Sequence, residues 1–394
     1  MTKALADVVV LDMTTEFCAS LGVALLGDFG ARVVKVEPAG GRGKPLSPIS
    51  EPQFELANRN KHSLALDHTS EAGRQVLERL ITQSDVFVSD SPEPQLREQR
   101  LDYQSLTSLR TDIVYARASG FGPNGPDRDL PALDELAAAR TGMMPILPQP
   151  GQPPLYPGNG QMYTAVMLAF GAVAALQHRQ RTGEGQEVNV SLFAGNMYGA
   201  SLDLQAFLAI GGERFLHPVS RLDAGNPMAG TLYPTKDGLW VTLTMPETDR
   251  WWPTLAEVTG LDVADPRFDS HEKRCEVSRL ELIALLEEAF QRQPAEHWRD
   301  IFTERQMSAD VIEQYSYPAD DDSAFRNRYI LASDEPSAGE HKTLGFPIFM
   351  SDTPAQLERG APHAGQDSTK LLRDMLGYAD GDIDDLKATG AVAE

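Results

Sequence analysis

Val8-Val9-Val10-Leu11-Asp12, the helix-like run from Ala19 to Phe29, and Ala31-Arg32-Val33-Val34-Lys35-Val36-Glu37 set the fold class of this chain. Two short runs of β-branched residues flank an apolar segment of helical length. Such runs predict strands buried on both faces. Ser20 is a candidate N-cap for the helix and Gly30 its stop. The pattern then repeats. Ser63-Leu-Ala-Leu-Asp67 reads as a third strand and Ser70 to Ser84 as an amphipathic helix with start signals at Thr69 and Ser70. Asp85-Val-Phe-Val-Ser89 is a fourth strand, Leu101 to Leu109 a helix, and Ile113 to Ala118 a fifth strand. Strands alternating with helices imply βαβ units and a mostly parallel sheet, so the first third is a doubly wound α/β domain.

Further on, residues 143–159 are rich in Pro, Gly and Gln and read as a loop. Met162 to Arg179 is a helix whose Met, Gly and Ala residues suit a core face. Glu187 to Ser191 is a strand and Ala194 to Ile210 a long apolar helix. Breaks at Gly211-Gly-Glu-Arg and Asp223-Ala-Gly-Asn-Pro227 mark a boundary. The expected organisation is a large domain over 1–210, a linker over 211–225, a smaller α+β domain over 226–330, and a segment over 331–394 returning to the large domain. In the small domain, Thr231 to Thr244 reads as a hairpin turning at Lys236-Asp-Gly238. Helices are expected at Trp251–Thr259, Arg279–Gln291 and Pro294–Arg305.

The chain has 394 residues and a net charge of −22. That charge disfavours nucleic acid and anionic membrane surfaces as partners, and an anionic ligand needs a locally positive site. No apolar run reaches about 18 residues, so no membrane span is expected. The start of the chain has no signal-peptide core, and two cysteines, Cys18 and Cys275, cannot form a disulfide framework. A cytoplasmic location is the expectation.

Several motifs, taken in order, carry a resemblance. They are Gly27-Asp-Phe-Gly-Ala-Arg-Val-Val-Lys-Val-Glu-Pro38, Asn58-Arg-Asn-Lys-His-Ser-Leu-Ala-Leu-Asp67 and Ser119-Gly-Phe-Gly-Pro-Asn-Gly-Pro126. Leu130-Pro-Ala-Leu-Asp134, Arg181-Thr-Gly-Glu-Gly-Gln-Glu-Val188 and Asp237-Gly-Leu-Trp-Val241 follow, then Asp265-Pro-Arg-Phe268 and Ala361-Pro362. Together they resemble the CaiB/BaiF family, the class III CoA-transferases, over essentially the whole chain. The resemblance implies a Rossmann-like large domain, a small domain, and a dimer of interlocked rings.

Family members place a nucleophilic aspartate just before the helix preceding the Arg-Thr-Gly signature, usually as Gly-Asp. Here Gly160-Gln161 stands in that place, and no acidic residue lies between Glu135 and Glu184. The family's carboxylate attacks an acyl-CoA thioester to form a mixed anhydride, and the returning thiolate gives an enzyme–CoA thioester. A neutral amide forms neither. The resemblance puts vestigial CoA positions at Ser20, Leu66, Asp90 and Arg100. Departures cluster there: Asp90 replaces an asparagine, Glu98 falls at an arginine position between Arg97 and Arg100, and Pro38 follows Glu37 where some members are basic.

The resemblance therefore implies a non-catalytic subunit of a heteromeric transferase, like succinyl-CoA:(R)-benzylsuccinate CoA-transferase. CoA would move from an acyl-CoA such as succinyl-CoA to an acid such as an aryl-succinate. A paralogous subunit, in a heterodimer or heterotetramer, would supply the aspartate and bind CoA as substrate, with no covalently held cofactor. One alternative is an active homomeric transferase, or an acyl-CoA racemase, with a displaced carboxylate. Asp134 is the fallback nucleophile, with Glu135, Asp127 and Asp129 nearby and His62, His68 and His178 as candidate bases. The other is an acyl-CoA or organic-acid binding protein. Cys18 at a helix start invites a lowered thiol pKa, although a small buried hydrophobe explains it as well. Tyr156 and Tyr163 flank Gln161.

Overall fold

The structure, a computed structural model, describes residues 3–41, 47, 49–211, 216–223, 225–335 and 339–394. In chain order the elements begin β1 (Val9–Met13), α1 (Phe17–Asp28), β2 (Arg32–Glu37), α2 (Ser50–Asn58), β3 (Lys61–Leu66), α3 (Glu71–Gln83) and β4 (Val86–Ser89). There follow α4 (Glu93–Glu98), α5 (Tyr103–Thr107), β5 (Val114–Ser119), α6 (Asp134–Ala138), α7 (Gly160–Thr182), β6 (Glu187–Ser191), α8 (Leu192–Gly199) and α9 (Ser201–Ile210). Next come β7 (Ala229–Pro234), β8 (Trp240–Thr244), α10 (Thr248–Thr259), α11 (Arg279–Phe290), α12 (Ala295–Glu304) and β9 (Ala309–Ile312). The chain ends with α13 (Asp322–Arg326), β10 (Ile330–Glu335), β11 (Gly339–Leu344), α14 (Ser368–Lys370), α15 (Asp380–Ala388) and β12 (Val392–Ala393).

The chain divides into two compact units. The larger holds residues 1–144, 156–212 and 322–394, and the smaller holds 145–155 and 213–321. The Pro-rich stretch read as a plain loop thus contributes 145–155 to the small unit. Of the linker expected at 211–225, residues 212–215 and 224 lie outside the described residues.

The large unit is built on a seven-stranded sheet of order β12-β3-β2-β1-β4-β5-β6. All pairings are parallel except that of β12 with β3. This is the expected α/β, doubly wound architecture. Alternate residues of each strand enter different cores, as a period of two demands. Leu11, Val34, Leu64, Phe87 and Tyr115 join one cluster with Val76, Leu77, Leu80 and Ile81 of α3. Val10, Val33, Val86, Val88 and Val114 join another with α1 and Leu168, Ala172 and Ala175 of α7. Each large apolar side chain so buried contributes about 1.5–3 kcal/mol.

Local signals explain several boundaries. Ser70 caps α3, its hydroxyl accepting the Gly73 N–H at 3.1 Å. Gly30 ends the α1 region at φ 102° and Gly183 ends α7 at φ 77°, the left-handed geometry that suits glycine. Gly185 of the Arg-Thr-Gly signature lies against β5, where a Cβ would come within 2.2 Å of the Ile113 carbonyl.

Other expectations need correction. Ser20 is not an N-cap: α1 starts at Phe17, and Ser20 is buried inside it. The single helix expected over 194–210 is α8 and α9, broken at Ala200. The helix expected over 101–109 is the shorter α5, Tyr103–Thr107, while α4 before it and α2 went unread. α7 begins at Gly160, so Gln161 lies on its first turn. Among the described residues α7 is the one helix long and apolar enough to cross a membrane by length and composition. Its Ala165, Leu168, Ala172 and Ala175 are buried in this unit.

The small unit contains the three-stranded antiparallel sheet β7-β8-β9. The expected hairpin is present, with Gly238 at φ 84° in its turn. Trp252, Leu255, Leu286, Phe290, Trp298 and Phe302 from α10, α11 and α12 form its core with the strands.

Candidate functional site

Strand order reverses between β1 and β4, and in such sheets ligands bind outside the carboxyl ends of the strands at that point. A cavity of about 390 Å³ lies beside that point, at the carboxyl ends of β1 and β2, bordered by Thr14, Phe17, Ser20, Lys35, Glu37 and Asn58 among others. Beneath it is a buried charge network. Lys61 Nζ donates to Asp12 Oδ2 at 2.7 Å, the Ser20 carbonyl at 2.9 Å and Asn58 Oδ1 at 3.0 Å. Lys35 Nζ donates to the Thr14 carbonyl at 2.8 Å and sits 3.7 Å from Asp12. Burial pushes the Asp12 carboxyl up, but the two ammonium groups outweigh it and bring the group down to about 2. Burial pulls Lys61 down to about 8, with Asp12 opposing and Lys35 assisting. Glu37, buried beside them, accepts the Ser63 hydroxyl. Two lysines thus face two carboxylates, and the floor's positive charge is already paired.

The β1–α1 loop carries the backbone donors that would meet an anion. Three successive N–H groups are taken by the chain's own carboxylates. Thr14 N–H goes to Asp12 Oδ1 at 2.9 Å. Thr15 N–H goes to Asp90 Oδ2 at 2.8 Å and Glu16 N–H to the same oxygen at 2.7 Å. Asp90 follows β4 and is buried. Burial raises its pKa, while those donors pull the other way. Its charge in turn helps burial raise Glu16.

The start of α7 holds the second part. Phe17 and Ala57 of the cavity wall cluster with Ala165, one turn beyond Gln161. Asp134, 5 % exposed, opens α6. Tyr156 Oη donates to its Oδ2 at 2.6 Å and Asn196 Nδ2 to its Oδ1 at 2.8 Å. Gly160 is wedged against this pair: a Cβ there would lie 2.1 Å from Asn196 Nδ2 and 2.3 Å from Asp134 Oδ1. The half-buried Gln161 lies beside the Tyr156 phenol and opposes the rise in its pKa. Burial and the Asp134 carboxylate hold the phenol well above its ordinary pKa, so it stays a donor.

Of the vestigial CoA positions, Ser20 borders the cavity and Asp90 holds its rim. Leu66 is fully buried in the core, paired with Val392 of the edge strand. Arg100 is exposed in the turn after α4, at φ 54°, where its carbonyl accepts from Arg74. Neither side chain borders the cavity, whereas Pro38 does. Among the described residues bordering it there is no histidine. Asp127 and Asp129 pair with the surface arginines Arg140 and Arg128. Burial, assisted by Asp90 and Glu16, pushes the Cys18 thiol up to about 12, which makes it a small hydrophobe. Among the described residues no cluster of His, Cys, Asp and Glu suits a metal ion.

Asn196 and the lysine network were missed in the sequence. The lysines had a signal: Lys35 sits between Val34 and Val36 in a strand buried on both faces, where an ammonium needs a partner. Asn196, midway along an apolar helix, had none.

A family model described as CoA-transferase family III matches residues 5–368. The chain is 27% identical over 400 residues to the cinnamoyl-CoA:phenyllactate CoA-transferase of Clostridium sporogenes, covering 98% of this chain and 96% of that one. It is 27% identical over 403 residues to the (R)-2-hydroxy-4-methylpentanoate CoA-transferase of Clostridioides difficile, covering 98% and 99%. Its fold matches a CaiB/BaiF family protein from Brucella suis with a TM-score of 0.84 at 23% identity, over 95% of this chain and 100% of that one. Motifs, sheet order and a match from the first strand to α14 agree: this chain belongs to CoA-transferase family III.

Proposed function

We propose that this chain is the non-catalytic subunit of a heteromeric class III CoA-transferase. A paralogous subunit bearing the nucleophilic aspartate binds the acyl-CoA and carries out the transfer to a carboxylic acid. The observation that carries the reading is the neutral Gln161 on the first turn of α7, beside Tyr156. An amide there can hold a hydrogen-bond network together but cannot form an anhydride or a thioester. The occupied N–H groups of Thr14, Thr15 and Glu16 support it, because a CoA pyrophosphate entering this crevice meets Asp90. In the assembly the two subunits interlock as rings, and this one supplies structure while its partner supplies chemistry. A cytoplasmic complex without nucleic acid or membrane fits the charge of −22.

One observation favours a second reading, an active homomeric enzyme. The Asp134 carboxylate touches the Gly160 position, immediately before Gln161. The first reading is preferred because both Asp134 oxygens are held by side-chain donors, Tyr156 and Asn196.

The test is to assay this chain alone, an aspartate-bearing family III paralogue from the same genome alone, and the co-expressed pair. Donors would be succinyl-CoA and cinnamoyl-CoA, and acceptors benzylsuccinate and phenyllactate. Turnover that needs the pair, and survives Asp134→Asn in this chain, is expected. Turnover by this chain alone, abolished by Asp134→Asn, would replace this reading with the second.

A further inference from the structure

The other end of the large unit's sheet holds a separate cavity of about 300 Å³. Arg32 at the start of β2 and His62 at the start of β3 border it, with Asn60, Glu358, Arg359 and Lys370. β2 runs from Arg32 to Glu37, about 16 Å at 3.3 Å per residue. The cavity and the crevice at the switch point therefore lie at opposite ends of the same strands.

Its wall is firmly built. Asn60, at φ 62°, clamps the returning C-terminal segment. Its Nδ2 donates to Asp28 Oδ1 at 2.8 Å and to the Gln356 carbonyl at 2.7 Å. Its Oδ1 accepts the N–H groups of Glu358 at 2.8 Å and Arg359 at 3.2 Å. Arg359 Nη1 donates to Asp367 Oδ1 at 3.0 Å and to His62 Nδ1 at 2.7 Å. Glu358 pairs with Lys3. Arg32 and Lys370 are different: among the described residues neither side chain has an ion pair or hydrogen bond. Lys3, Arg32, Arg359 and Lys370 outnumber Glu358 and Asp367 by two positive charges. In a chain of net charge −22, such an excess on one concave surface is a local field for anions.

We propose that this cavity binds a small dianion, a phosphate or a dicarboxylate, with Arg32 and Lys370 supplying the charge. The planar guanidinium gives paired donors to an oxyanion and the ammonium a point charge. The excess of two matches a dianion. The site is distinct from the crevice and independent of whether this chain is catalytic.

Isothermal titration of the full chain at low ionic strength, with inorganic phosphate and separately with succinate, tests the assignment. One site per chain is expected for at least one of them, weakening as salt is added. Arg32→Gln with Lys370→Gln should weaken it about tenfold or more, while Gln53→Glu, on α2 where that helix borders the crevice, should leave it unchanged. Binding of phosphate alone assigns a phosphoryl ligand and of succinate alone a dicarboxylate. Should the double variant fold poorly, Lys370→Gln, a change at an exposed residue, carries the test. No binding of either anion overturns the proposal. So does a folded variant that binds as tightly as the wild type, or binding lost only in Gln53→Glu.

Discussion

The Asp90 carboxylate accepts the Glu16 backbone N–H at 2.7 Å, so a side chain occupies the entrance to α1 where an incoming anion would sit. Asp90→Asn keeps the shape and removes the charge. An amide oxygen can still accept from Thr15 and Glu16, so folding should be intact. Removing one like charge beside a pyrophosphate relieves about 1 kcal/mol of repulsion. CoA affinity, measured by titration calorimetry, should rise about five- to tenfold. An unchanged affinity would mean that CoA, if bound, lies elsewhere.

Asp12 lies against two buried ammonium groups, and removing it leaves Glu37 as the one carboxylate facing them. Asp12→Asn should cost about 3–5 kcal/mol in urea unfolding. The pH dependence follows from the directions of the shifts. Asp12 falls from 3.8 unfolded to about 2 folded, so its contribution is complete above about pH 4 and is lost as pH falls through 2. Lys61 falls from 10.5 to about 8. Between those values the unfolded chain binds more protons, so this group's contribution to stability rises with pH there. Wild-type urea midpoints at pH 2.5, 5, 8 and 10 should show both limbs, and Asp12→Asn should flatten the acid one, to which Asp367 and other lowered carboxylates still contribute.

The α/β class was readable because β-branched runs alternate with helical segments, and Ser70 and Gly30 punctuate them with local chemistry. Elements without such marks were not. α2 has little apolar periodicity, and the two-residue β12 exists only because β3 offers it an edge. The site was half legible. Gln161 and Asp90 stand out against motif neighbours, and Asp134 was identified as the nearby carboxylate. What they do depends on side chains brought from far along the chain: Asn196 lies 62 residues from Asp134, and Lys61 lies 49 from Asp12.

Gly160 is needed for space. A methyl group there would overlap Asn196 and Asp134, both buried and hydrogen-bonded to each other. Gly160→Ala should therefore destabilise by about 1–3 kcal/mol through forced displacement, despite alanine's better helix propensity. Thermal unfolding should show a lower midpoint. A rise would mean that the pair moves aside at little cost.

Gln161→Asp tests whether the nucleophile's absence is the only defect. The new carboxylate would sit on the first turn of α7, where the helix dipole favours it. It would also share Tyr156 with Asp134, and a like charge so close raises its pKa and weakens it as a nucleophile. Asp90 would still oppose the pyrophosphate. Gln161→Asp alone should give no covalent adduct when incubated with succinyl-CoA and examined by intact mass. Combined with Asp90→Asn, which lets CoA enter, a fraction of the chain should gain the mass of CoA less water, the enzyme–CoA thioester. Adduct formation by the single variant would show that the crevice binds CoA despite Asp90, and that only the nucleophile had been lost.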